Sequence, residues 1–122
     1  LRDDADQSRV QQGLRELVGD KCEIVSDPGT ADAAIVFIGL GHRIGGDSEG
    51  GDRKSMQLPP EQDALVRKTV AQNANTIVVL VSGSPLEMPW ADEVPAIVMA
   101  WYPGMEGGRA IADVLFGRVN PG

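Results

Sequence analysis

The fold the sequence predicts is an open, doubly wound α/β sheet, mostly parallel, with helices on both faces, and two observations carry that reading. The runs Ala33 to Ile38, Thr76 to Val81 and Ala96 to Ala100 are apolar and rich in branched residues. Such runs suit strands covered on both faces better than strands half in water. Helical patterns with breaker residues at their ends alternate with these runs. That alternation implies a parallel sheet joined by right-handed crossovers.

In chain order, Val10, Leu14, Leu17 and Val18 fall on one helical face that Gly19 ends, and Cys22 to Val25 reads as a short strand. The first covered strand, Ala33 to Ile38, leads into a polar, glycine-rich segment from Gly39 to about Leu58. A connection of that length inside a compact domain points to function. Pro59 and Pro60 occupy the entry of the next helix, with Glu61 and Asp63 in its first turn and Arg67 and Lys68 late in it. Its expected inner stripe is Leu65, Val66, Thr69 and Val70. The strand Thr76 to Val81 is ended by Ser82-Gly83-Ser84-Pro85, and the strand Ala96 to Ala100 follows. Glu106 begins the last helix, where a carboxylate complements the dipole, with Ala110, Ile111, Val114 and Leu115 as its apolar face and Gly117 as its cap.

A chain of 122 residues is sized for one domain with a real core, but not for a barrel in addition. A single α/β domain over 1–122 is therefore expected. Hydrophobic residues at 42% and charged residues at 24% are ordinary globular values, and no apolar run has the length to cross a bilayer. The formal net charge of -7, with no cluster of Lys and Arg, argues against nucleic acid or an anionic membrane as partner. A lone cysteine, Cys22, cannot form an internal disulfide, and with a single histidine, His42, no Cys/His metal cage can assemble. The chain opens Leu1-Arg2-Asp3-Asp4, without an initiator methionine or a targeting segment, and so reads as a piece of a longer protein.

In an open parallel sheet, ligands bind along the edge where loops leave the carboxyl ends of the strands. Gly39 to Arg53, Ser82 to Trp90 and Trp101 to Gly107 meet that description and hold Glu49, Asp52, Arg53, Glu87, Trp90, Trp101, Tyr102 and Glu106. Carboxylates beside aromatic rings suit sugars, since rings cover the apolar faces of a pyranose while carboxylates handle protons and hydroxyls. The string Gly39-Leu40-Gly41-His42-Arg43-Ile44-Gly45 fails as a dinucleotide loop because isoleucine stands where the third glycine belongs. With no phosphate loop and no G-x-S-x-G elbow, Ser82 and Ser84 read as turn residues.

The segment Asp47-Ser48-Glu49-Gly50-Gly51-Asp52-Arg53, followed by Leu58-Pro59 and Gln62, resembles a signature of family 3 glycoside hydrolases, the β-glucosidase group. Three further blocks resemble the same family in the same order: Ala31 to Gly39, Ser82 to Trp90, and Ala100 to Gly108 continuing through Ala110 to Gly117. The resemblance covers nearly everything from Ala31 to Pro121 and identifies the chain with that family's C-terminal domain, a flavodoxin-like three-layer α/β/α sandwich.

The resemblance implies a retaining β-glycosidase that hydrolyses O-glycosyl bonds of a β-linked glucoside or oligosaccharide without a cofactor or metal. A (β/α) barrel domain of the same enzyme would supply the aspartate nucleophile, so the isolated chain is expected to be inactive. Glu49 aligns with the acid/base glutamate. Asp47, where many members carry glutamate, and Asp52 and Arg53 are candidates for bracing the loop or touching substrate. His42 and Trp101 are candidates for sugar contact, against plainer readings as an exposed loop histidine and a packing residue. Packing is also the plainer reading for Trp90 and Tyr102, and Met88 is expected in the core. The chain departs from the pattern in lacking an upstream apolar strand and a final Gly-Lys/Arg-Leu-Pro strand. It also lacks room before Ala33 for a helix that many relatives place there. A noncatalytic carbohydrate-binding or scaffold module of the same fold is the alternative. An unrelated nucleotide-binding or partner-binding domain is disfavoured by the absent phosphate motifs.

Overall fold

The computed structural model describes residues 4–41, 47–48 and 51–121, with the backbone alone for residues 4–10. The elements run α1 (Asp4–Val18), β1 (Ala34–Gly39), α2 (Pro60–Gln72), β2 (Thr76–Val81), β3 (Ala96–Met99) and α3 (Gly107–Leu115), with short 3-10 turns between them. The chain divides into two compact units, one of Leu1–Ile24 with Tyr102–Gly122 and one of Val25–Trp101.

The larger unit is built on a three-stranded sheet in the order β1-β2-β3, parallel throughout. Register pairs Ala34 with Thr76 through Gly39 with Val81, and Ile77 with Ala96 through Leu80 with Met99. The α2 crossover between β1 and β2 makes this the α/β class that the sequence predicts. Successive strand residues face opposite ways, so Val36, Ile38, Val78 and Leu80 share one face. They form a buried cluster with Leu40, Leu58, Val66, Trp90 and Val94, and Val70, Leu86, Met88, Ile97 and Met99 pack against it.

Pro60 opens α2 behind Pro59, as expected, because proline at the first helical position gives up no needed hydrogen bond. Of the expected inner stripe, Val66 and Thr69 are buried and Val70 is partly buried, but Leu65 is 47% exposed. The reason lies one turn earlier, where the inward positions are taken by the polar residues Gln62 and Asp63. Gln62 bonds the backbone of Gly39 and Asp63 accepts from the Trp90 indole. Those bonds turn the stripe toward Val66 and away from Leu65. At the other end of α2, Asn73 donates to the carbonyls of Pro28 (2.9 Å) and Ala31 (2.8 Å), while Asn75 donates to that of Asp32 (3.0 Å). The stretch before β1 is held by these bonds and by a single 3-10 turn, Pro28–Thr30, with no longer helix.

In the smaller unit, α1 packs on α3 with Gly13 at the crossing, where an added Cβ would lie 2.7 Å from the backbone of Gly108. Leu14 and Val18 are buried here, as are Ile111 and Ala112 of α3. Ala110, expected on the inner face, is exposed, and Ala112 takes that place on the buried side. Gly19 leaves α1 with φ +51, and Gly117 caps α3 with φ +70 while donating its N–H to Val114. Left-handed backbone of this kind favours glycine. Glu106 stands at the N-cap of α3, exposed and without a side-chain capping bond.

The expected strand at Cys22 to Val25 does not form. Its residues are exposed, and Cys22 is extended (φ -138, ψ 143). An extended segment becomes a strand only when a neighbour satisfies its N–H and C=O groups, and no ladder among the described residues includes this one.

Candidate functional site

Parallel register sets the carboxyl ends of the strands side by side, so the segments after Gly39, Val81 and Met99 leave from one edge. Gly39 has φ +157, and a Cβ there would lie 1.8 Å from the Val81 carbonyl oxygen. The next residue, Leu40, donates its N–H to that same oxygen at 3.0 Å. Gln62 completes the exit of β1 by accepting from the Gly39 N–H (2.8 Å) and donating to its C=O (2.9 Å), as a neighbouring strand would.

The described part of the glycine-rich connection is pinned at several points. Asp47 donates its N–H to Gly41 at 3.1 Å, and its side chain is only 10% exposed. A buried carboxylate is costly unless its oxygens are hydrogen-bonded, and the Ser82–Ser84 turn supplies the donors. The Gly83 N–H reaches Oδ2 at 2.6 Å, and the Ser84 hydroxyl bonds Oδ1. The Ser82 hydroxyl lies 3.0 Å from Oδ2 and also 3.0 Å from the Ser84 carbonyl, so its one proton is shared between them.

Arg53 adds a guanidinium Nε 3.8 Å from Asp47 Oδ1 and donates through Nη2 to the Pro85 carbonyl. Its side chain is 13% exposed, and Nη1 is buried without a hydrogen-bond partner among the described residues. Farther along, Glu87 donates its N–H to Met56 (2.9 Å), and Leu58 enters the core. The connection is thus tied repeatedly to the turn that leaves β2.

Of the residues singled out in the sequence, the structure brings together Asp47 and Arg53. Asp52 is exposed and lines an open depression of about 520 Å3 with Arg53, Lys54, Ser55, Met56 and Glu87. Trp101 follows β3 with its side chain 58% exposed and φ 54, a conformation that a bulky residue rarely adopts. Trp90 is fully buried, its indole Nε1 donating to Asp63 Oδ1 at 2.7 Å, so it is a core residue with a satisfied polar edge. Met88 packs against the same core. Glu49 and His42 lie outside the described residues.

Sequence reasoning put Ser82 and Ser84 on this edge as turn residues but missed their bonds to Asp47, and it missed the hold of Gln62 on Gly39. The available signal was the residue types themselves, hydroxyl and amide donors directly after a buried strand and in a first helical turn. Among the described residues, no helix is long and apolar enough to cross a membrane, and no group of His, Cys, Asp and Glu is placed to hold a metal ion.

An open parallel sheet with a hydrogen-bonded acid and arginine at its carboxyl edge defines an α/β domain. The profile of the glycosyl hydrolase family 3 C-terminal domain matches residues 5–122, and the chain belongs to that family. It is 50% identical over 91 residues to "Probable beta-glucosidase J" of Emericella nidulans, covering 75% of this chain and 11% of that protein. With the Aspergillus fumigatus protein of the same name it shares 46% identity over 113 residues, covering 89% of this chain and 13% of the other.

Among solved structures, the β-glucosidase of Kluyveromyces marxianus in complex with glucose superposes with a TM-score of 0.71 at 38% identity, over 93% of this chain and 12% of that one. The family 3 β-glucosidase of Bifidobacterium adolescentis gives 0.69 at 39% identity, over 75% and 14%. The chain therefore spans only between 11% and 14% of the length of these relatives.

Proposed function

We propose that this chain is the acid/base-bearing domain of a retaining β-glycosidase that hydrolyses O-glycosyl bonds of β-glucosides or β-linked oligosaccharides, with Glu49 as the acid/base. The observation that carries the reading is the family match over residues 5–122, within which Glu49 sits between two residues anchored at the sheet edge, Asp47 and Arg53. The β-glucosidase names of the relatives support the substrate class. In the first step a carboxylic acid protonates the glycosidic oxygen as the bond breaks, and in the second the same group, now a carboxylate, takes a proton from water. A retaining mechanism needs a second carboxylate about 5 to 5.5 Å away as nucleophile. An aspartate of a (β/α) barrel domain in the same enzyme fills that role, so this domain alone holds half of the catalytic pair.

The test is Glu49→Ala in the full-length protein. Loss of an acid/base lowers activity by about 10² to 10⁴-fold on substrates with poor leaving groups. Activated aryl glycosides, which leave unaided, are spared in kcat/KM and accumulate a glycosyl-enzyme. Azide, a nucleophile that needs no base, restores turnover and yields a β-glycosyl azide. Equal losses on good and poor leaving groups, with no azide product, would remove Glu49 from the chemistry.

A further inference from the structure

Leu80 pairs with Met99, and the Ala100 N–H donates to the Leu80 carbonyl at 2.8 Å, so pairing with β2 runs one residue past the end of β3. Trp101 is the first residue beyond that bond. Carried on in the same register, it leaves the sheet level with Ser82, the first residue beyond β2. Both stand at the carboxyl edge, where an open parallel sheet binds its ligands.

Two features of Trp101 work against stability. Its φ of 54 is left-handed backbone, which strains a bulky side chain. At the other positions of positive φ among the described residues, Gly19, Gly39, Gly104 and Gly117, the chain carries glycine, which adopts such backbone freely. The Trp101 side chain is also 58% exposed, whereas Trp90 is fully buried with its indole bonded to Asp63. A large ring therefore stands where glycine would fit without strain and where the core gains little from it. An exposed indole offers an apolar face and a polar N–H edge. Those match a pyranose, whose apolar faces are rimmed by hydroxyls.

Resting on the β-glycosidase reading, we propose that Trp101 is a stacking platform for the leaving-group sugar of a β-linked oligosaccharide. The acid meets the glycosidic oxygen that departs with that sugar, so the domain that carries the acid faces the leaving group. Trp101 moves no proton and touches no bond that breaks. It selects a second pyranose ring over a small alkyl group.

The experiment uses the full-length protein and its Trp101→Gly and Trp101→Phe variants. Tm is measured for each, with kcat and KM on methyl β-glucoside, cellobiose and laminaribiose. Glycine accepts φ 54 without strain, so Trp101→Gly removes the ring and leaves the turn. On the better of the two disaccharides, Trp101→Gly should raise KM by about tenfold, the worth of one aromatic contact. Its kcat should stay within about twofold, because a contact made equally in the ground and transition states acts on KM alone. Methyl β-glucoside has no second ring, and its constants should stay within about twofold. Trp101→Phe, which keeps a smaller ring, should fall between wild type and Trp101→Gly. The Tm of Trp101→Gly should equal or exceed that of wild type, since strain is relieved and little packing is lost.

Equal changes on methyl β-glucoside and the disaccharides, or no change on any of them, would overturn the platform and leave the β-glycosidase reading standing. So would a Trp101→Gly variant that melts several degrees lower or fails to fold, because the ring would then be packed against another part of the enzyme. Wild-type protein that hydrolyses none of the three substrates would sink the β-glycosidase reading, and the platform with it. That arm is read before any Trp101 variant is made.

Discussion

Replacing Gly39 by alanine tests whether the exit of β1 is as tightly built as the structure shows. The new Cβ would lie 1.8 Å from the Val81 carbonyl oxygen and 2.6 Å from its carbon, both backbone atoms of the paired strand, so no side-chain rotation relieves the overlap. The φ of +157 adds strain for any residue with a Cβ, worth about 1 to 3 kcal/mol. Moving the two strands apart also breaks the Leu40 N–H bond to that oxygen and disturbs the paired bonds of Gln62 to Gly39. Each bond contributes about 1 kcal/mol net. The expected loss is about 3 to 5 kcal/mol, which lowers Tm by roughly 10 to 20 °C for a chain of this size.

Urea and thermal melts followed by circular dichroism measure it. Gly41→Ala serves as the control, because no atom of the described residues lies within 4 Å of a Cβ there, and should stay within about 0.5 kcal/mol. A Gly39→Ala variant as stable as that control would show that the β1 exit tolerates a side chain and that the close approach to Val81 is not a constraint.

Two other substitutions test the remaining packing claims. Trp90→Phe removes the indole donor to Asp63 and part of a fully buried ring, and should cost about 2 to 4 kcal/mol by denaturant titration. Asp63→Asn, which keeps an acceptor oxygen, should cost clearly less, and the reverse order would place Trp90's contribution outside this bond. Gly13→Ala gains about 1 kcal/mol of helix propensity but puts a Cβ 2.7 Å from the Gly108 backbone in α3. Overpacking costs about 1 to 3 kcal/mol, and with backbone on the other side the upper end applies. A net loss of Tm is expected where Gln12→Ala, on the exposed side of the same helix, changes little; a gain in Tm for Gly13→Ala would refute the close crossing.

How far the fold was legible depended on whether a signal was local. Thr76 to Val81 was readable to the residue, because a buried branched run is bounded by Asn75 on one side and Ser82-Gly83 on the other. β1 extends one residue beyond the expected Ile38 because Gly39 has no side chain to register as apolar, yet pairs with Val81. Cys22 to Val25 has strand-like composition and Cys22 is extended, but no ladder among the described residues includes the segment, and pairing is not written in a segment's own residues. In α2, apolar periodicity selected Leu65 because it cannot see that Gln62 and Asp63 face inward to bond Gly39 and Trp90.

The site was legible in a different way. Motif resemblance selected Asp47 through Arg53 but said nothing of what holds them, and Ser82 and Ser84, read by residue type alone, were turn formers. Their bonds to Asp47 span 35 and 37 positions of chain, and they exist only because the parallel register of β1 and β2 brings Leu40 beside Val81 and sets the two exits together. Without the serines the carboxylate would lose the hydroxyl donors to both of its oxygens and keep the Gly83 N–H and the Arg53 guanidinium, and the serines without the carboxylate would be ordinary turn residues. The anchor is therefore a property of the strand register. A change that slips β1 against β2 should release Asp47 from the Ser82–Ser84 turn, although neither partner has been altered.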